Sequence, residues 1–179
     1  MISLRTLVVV ALLSLLFAGC SGMTASIPPF AGDPLRISEV AGRGDPTRRA
    51  STGLVLAGLA AEESGRAVSD FERAIALDAT NPYAYLALAA QEIQWGDVGR
   101  GVQSLRQAEL LLESEQLDSP RVAPHLDGLH GRARLREPWR FDSGDPSGAV
   151  TSGESLLKSA RRRAPNVWGD GWLEPAELR

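Results

Sequence analysis

The chain has 179 residues, 19 basic and 22 acidic, with a net charge of −3 and 44% hydrophobic residues. That length suits one ordinary domain with an appendage rather than several domains. Mild acidity excludes the basic footprint of a general nucleic-acid-binding domain, and a single cysteine, Cys20, excludes an internal disulfide.

The first element is an export signal. Met1 to Arg5 is short and basic, Thr6 to Phe17 is almost wholly apolar, and small residues Ala18-Gly19 precede Cys20. A basic start, a short apolar run and a small-residue cleavage site make a secretory signal peptide. The apolar run is about 12 residues, against roughly 20 for a membrane-spanning helix. Phe17-Ala18-Gly19-Cys20 resembles the bacterial lipobox, with Phe17 standing where leucine is commoner. The resemblance implies removal of residues 1–19 and acylation of Cys20. Two or more acyl chains on one residue give stable attachment to a membrane. Ser21 follows the cysteine; in such lipoproteins an aspartate there implies retention in the inner membrane. The expected location is therefore the outer membrane, facing the periplasm.

Residues 20–46 are rich in Gly, Pro, Ser and Ala, with Pro28-Pro29, Asp33-Pro34 and Asp45-Pro46 as turn signals and no sustained apolar period. They read as a flexible tether from Cys20. Whether Ile37 and Val40 dock on the domain is left open by the sequence.

From Thr47 the texture becomes helical and repetitive. Leu54 and Leu88 are 34 residues apart, as are Ala67 and Gly101, Val68 and Val102, Phe71 and Leu105, Ala74 and Ala108, and Leu77 and Leu111. Tyr85, Leu88 and Ala89, the Gly96-Asp97 turn, and Ala67-x-x-x-Phe71-x-x-Ala74 resemble the tetratricopeptide repeat, whose period is 34. The resemblance implies an all-α fold, a short solenoid of helical hairpins with two repeats in residues 47–115. Helices are expected over Thr47–Glu63, Gly65–Leu77, Pro82–Trp95 and Val98–Glu113. Ser51 stands where the first repeat's aromatic belongs, and Pro82 comes three residues late, where Asn81 can still cap the helix it opens.

Residues 116–179 are expected to hold a capping helix and a partly irregular tail. Arg121–Glu137 reads as a lone helix covering the open end of the stack. Val122-Ala123 falls 34 residues after Leu88-Ala89, but Pro138 and the Asp142–Gly148 stretch interrupt the partner helix that a third repeat needs. Ser152–Arg163 reads as a further helix, and Trp168, Trp172, Leu173 and Leu178 give the tail apolar bulk.

No catalytic constellation emerges, and no cofactor, metal or small-molecule substrate is expected. His125 and His130 lie roughly 140° apart around a helix axis, poor for sharing a metal. The Asp142 loop has Ser147 and Gly153 where a calcium loop needs Gly and Glu. Ser155-Leu156-Leu157-Lys158 lacks the companion motifs of a serine nucleophile. Arg132, Arg134, Arg136 and Arg140, and separately Arg161-Arg162-Arg163, read as a solvated face with cations near helix C-termini; contact with anionic headgroups, glycan or an acidic partner is the functional alternative. In the tetratricopeptide family the first helix of each pair lines a concave groove that receives a partner. By that resemblance Arg49, Thr52, Leu56 and Leu59 would line it in the first repeat, and Tyr83, Leu86, Ala90, Ile93 and Gln94 in the second. The implied role is a membrane-anchored adaptor for a protein partner in the envelope. The alternative is a structural accessory subunit whose groove is filled by its own tether or Trp-bearing tail.

Overall fold

The computed structural model describes residues 33–115, 119–171, 173 and 175–179. Among them the fold is all-helical. Eight α-helices run in chain order: α1 (Pro46–Leu59), α2 (Ser64–Leu77), α3 (Pro82–Trp95), α4 (Val98–Ser114), α5 (Ser119–Arg136), α6 (Pro138–Phe141), α7 (Pro146–Arg163) and α8 (Pro165–Trp168). Two 3₁₀ turns flank them, Ile37–Glu39 and Pro175–Leu178.

Helix starts follow one local rule. Asp45, Asn81 and Asp145 each precede a proline, and each side chain accepts a hydrogen bond from a backbone N–H of the first turn. The cap satisfies an orphan donor, and proline's fixed φ suits the position after it. Gly96 closes α3 at φ +93°, a left-handed turn that glycine enters without a Cβ penalty. Helix α1 stops at Leu59, four residues before the expected end; Ala60 and Ala61 turn the chain with bonds back to Leu56, Ala57 and Gly58 carbonyls.

The hairpins α1–α2 and α3–α4 pack as expected, and α5 covers α4. Helix α5 is not alone, however: it forms a third close hairpin with α7. Small residues permit all three approaches. A Cβ on Gly58 would meet Phe71 at 2.5 Å, and one on Gly101 would meet Ile93 Cγ1 at 2.6 Å. Gly131 and Gly153 face each other, each within about 3 Å of the other's carbonyl oxygen if given a Cβ (2.9 and 3.0 Å). Gly153, Leu157 and Ala160 repeat the spacing of Gly101, Leu105 and Ala108, at an offset of 52 (153 against 101) rather than 34. All six are buried. The helix expected over Ser152–Arg163 is present and starts earlier, at Pro146; α6 and its loops lengthen the third unit, and that insertion hid its pairing with α5 from a fixed-period reading.

The segment expected as tether divides. Residues 33–45 form a strap with Leu35, Ile37 and Val40 buried in the common core. Residues 1–32 lie outside the described residues.

The glycine contacts predict opposite outcomes at two sites. In Gly131→Ala the new Cβ meets backbone on α7, at Gly153 O and Leu157 N (2.9 and 3.0 Å), which cannot yield like a side-chain tip. Denaturant unfolding should show a loss of about 1–3 kcal/mol. Gly53, inside α1, has nothing within 4 Å of an added Cβ, so Gly53→Ala should gain about 0.5–1 kcal/mol.

Candidate partner-binding face

The first helices of the hairpins, α1, α3 and α5, share one side of the solenoid, and two other segments of the chain lie across it. The turn Pro175–Leu178 packs on α1 and α3, and the turn Ile37–Glu39 packs on α1. The strap then continues to α5: Leu35 N–H donates to the Arg121 carbonyl (3.1 Å), Arg121 Nε donates to the Asp33 carbonyl (2.8 Å), and Arg121 pairs with Glu39 (2.7 Å). Strap and tail are joined to each other, because Ser38 donates to the Arg179 carbonyl through its N–H (3.2 Å) and through its hydroxyl. Leu173 and Leu178 are buried, and Trp168 fills the space over Gly128 of α5.

This closure changes the position of the residues expected to line an open groove. Thr52, Leu59, Tyr83, Leu86, Ala90 and Ile93 are all buried. Leu56 and Gln94 are half-buried, and Arg49 is exposed, with its guanidinium donating to the Gly44 carbonyl (2.7 Å). The six buried residues therefore belong to the folded core and do not form a free surface. Thr52 has a definite internal task. Asn81 Nδ2 donates to Ser51 Oγ (2.9 Å) and Thr52 Oγ1 (3.2 Å), while Ser51 Oγ donates to the Ala74 carbonyl (2.9 Å). That buried network ties α1 and α2 to the start of α3, and each polar atom in it has a partner as burial requires. The serine at position 51, in place of an aromatic, is the sequence signal of this network.

Charged groups around the face are likewise committed. Arg48 reaches Asp78 (2.5 Å), Glu115 (2.8 Å) and the Thr80 carbonyl (3.0 Å), clasping α1, α2 and α4 together at one end. Burial pulls the Asp78 carboxyl up, but hydrogen bonds from Thr80 and Arg48 outweigh it and hold it below the usual range. Glu92 is pushed up by burial, against a hydrogen bond from Ser104 and the charge of Arg100. Arg134 stacks over Phe141 at 4.8 Å from the ring centre, a cation–π contact.

The two histidines act as separate latches. His130 Nε2 lies 2.7 Å from Glu109, joining α5 to α4. His125 is buried, and its Nε2 donates to the Leu35 carbonyl (3.0 Å), pinning the strap. The Nδ1 of His125 has no hydrogen-bond partner among the described residues, which fits a neutral ring protonated on Nε2. Among the described residues no group of three or more His, Cys, Asp or Glu could hold a metal. No described helix is long and apolar enough to cross a membrane. Cys20 and the signal segment 1–19 lie outside the described residues.

No family model, no curated protein and no solved structure matches the chain.

His125 gives the face a pH dependence. Burial lowers its pKa from 6.5 to about 4, against the opposing hydrogen bond to Leu35. Above pH 6.5 the ring is neutral in both folded and unfolded chains and contributes no slope. As pH falls from 6.5 to about 4 the unfolded chain takes the proton first, so stability drops, by up to about 3 kcal/mol. Comparing unfolding free energies at pH 7 and pH 4.5 should show a smaller acid loss in His125→Gln than in the parent chain. An identical loss in both would assign the acid sensitivity to the carboxylates instead.

Proposed function

We propose that this chain is a non-enzymatic scaffold lipoprotein of the bacterial envelope, held by acyl chains on Cys20 in the outer membrane and facing the periplasm. Its tetratricopeptide-like hairpins would serve as a structural accessory subunit that holds a protein partner in an envelope assembly or secretion complex. The signal-like residues 1–19 and the lipobox-like residues before Cys20 support the anchor. The closed concave face favours a structural subunit over an open adaptor, because six of nine residues expected to receive a partner are beneath the surface.

Binding through the tail is less favoured, since Trp168, Leu173 and Leu178 are buried in the fold. The apolar side chains that do face outward include Trp95 and Trp139, 51% and 61% exposed. Both belong to the end of the solenoid where α3 turns into α4. There Arg136 lies beside Gly96 and Arg140 beside Gly99, 3.3 and 3.1 Å from an added Cβ. Exposed tryptophan with arginine nearby is the composition of interaction hot spots.

Photo-crosslinking residues placed singly at 95, 139, 56 and 94, in cells producing the full chain, test the surface. Adducts are expected from 95 and 139. Adducts from 56 and 94 alone would return the partner to the concave side and refute the closed-face reading. Cys20→Ser should shift the protein from the membrane to the soluble fraction; retention at the membrane would defeat the anchor.

A further inference from the structure

In chain order the strap stands between Cys20 and the first hairpin. Asp33 lies thirteen positions after Cys20, and residues 33–45 lead directly into α1. A pull on Cys20 therefore reaches the strap before it reaches any of the eight helices. Burial of Leu35, Ile37 and Val40 keeps the strap closed at rest. Its polar contacts are few, and they follow one another along the chain. Arg121 holds the Asp33 carbonyl (2.8 Å), Leu35 bonds to Arg121 and His125 through its backbone (3.1 and 3.0 Å), and Ser38 donates to Arg179. The pair between Arg121 and Glu39 (2.7 Å) is open to solvent and holds weakly. Contacts in such a row break singly under a pull from one end.

The layer beneath the strap is also imperfectly filled. Residues 33–36 border a cavity of about 70 Å³ shared with His125, Asn166, Val167 and Glu177, whereas close-packed interiors leave few voids larger than a water. His125 is 1% exposed, and its Nδ1 has no hydrogen-bond partner among the described residues. Opening the strap would admit water to that atom and relieve the cost of its burial. The residues that follow the strap are held differently. Asp45 caps α1, and Arg48 in the first turn grips Asp78 (2.5 Å), Glu115 (2.8 Å) and the Thr80 carbonyl (3.0 Å) together. That clasp joins the start of α1 to the ends of α2 and α4, so a pull that has emptied the strap meets three points of resistance at once.

We propose that residues 33–45 are stored tether length, released from the folded solenoid under load from the Cys20 anchor and stopped at the Arg48 clasp. That the load comes from a membrane rests on the lipoprotein reading above. With the strap closed, the segment from Cys20 to Asp33 spans at most ~45 Å. Release adds at most another ~45 Å while the hairpins stay folded, so the solenoid can follow a partner that moves away from the bilayer. This is local opening of one segment, distinct from global unfolding.

The chain from residue 20 onward, made without acylation, is stretched between the Cys20 thiol and a second thiol from Arg106→Cys, on the exposed side of α4. Two events are expected. The first, at low force, lengthens the molecule by at most ~45 Å; the second, at higher force, opens the hairpins. Arg121→Ala should lower the force of the first event and leave the second, and Arg48→Ala should do the opposite. A single event that frees strap and hairpins together overturns the proposal. Hydrogen exchange at neutral pH provides a check that needs no variant. Amides of Leu35, Ser38 and Val40 should show protection at least roughly tenfold lower than those of Ala90 and Ile93 in α3. Equal protection, meaning that the strap opens only when the whole fold does, overturns the proposal as well. The mass of Cys20 in full-length chain extracted from membranes is read separately. An unmodified thiol overturns the membrane load and the anchor, even where the strap opens first. An acylated Cys20 with a single stretching event keeps the anchor and overturns the stored length.

Discussion

The architecture depends on how closely paired helices approach. At each hairpin crossing a glycine lies against the partner helix: Gly58 against Phe71, Gly101 against Ile93, Gly131 against Gly153. A larger residue at any of these positions would push two helices apart along their whole length, because protein interiors have little free volume to absorb the change. Close crossings let Phe71, Leu105 and Leu157 fill equivalent places in successive hairpins. The same spacing sets the first helices α1, α3 and α5 on one side, and it is that side which the strap and tail cover.

Closing that side poses a backbone problem as well as an apolar one. An extended segment laid on a helical surface buries N–H and C=O groups that have no ladder to join. The chain solves this with a few specific bonds. Leu35 uses both its N–H and its carbonyl, to Arg121 and His125, and Ser38 donates to Arg179. Three large apolar side chains between and beside these bonds, Leu35, Ile37 and Val40, then bury without stranding polar atoms. Burial of His125 has a different origin from catalytic tuning: the ring is a neutral donor to the strap, and its lowered pKa follows from the desolvation which that position imposes.

Much of the helical framework was legible in the sequence because its signals are local. Pro82–Trp95 matches its expected bounds, with Asn81 as cap and Gly96 as stop. The second helices were legible through the small–large–small spacing at Ala67, Phe71 and Ala74. The third copy, at Gly153, Leu157 and Ala160, carries the same spacing but escapes a strict 34-residue period because α6 and its loops intervene. Closure of the concave face by tether or tail stood in the sequence only as the alternative to an open groove, and the contacts that make it were not legible. Leu35, Ile37, Val40, Leu173 and Leu178 have no period, and the strap and tail are held by contacts between segments far apart in sequence, as between Leu35 and His125 and between Ser38 and Arg179. Family resemblance pointed the other way, since an open groove is a property of longer arrays. Residues that appeared to line it, such as Leu86 and Ile93, have the apolar character of a core because they are in one.

A closed concave face still leaves the question of whether a partner could open it. Five large apolar side chains from strap and tail are buried there, each contributing about 1.5–3 kcal/mol relative to exposure. An incoming peptide of equal chemistry would recover that burial and incur the same ordering cost. It would also have to compete with segments of the same chain, whose effective concentration is of order millimolar. A peptide matching the tail residue for residue would therefore displace little of it at micromolar concentration. Displacement requires contacts that the strap and tail do not make, and most of the side chains on α1 and α3 that could offer them are already enclosed. Half-buried Leu56 and Gln94 and exposed Arg49 are too few to supply that surplus. The physical balance thus keeps the concave face as core.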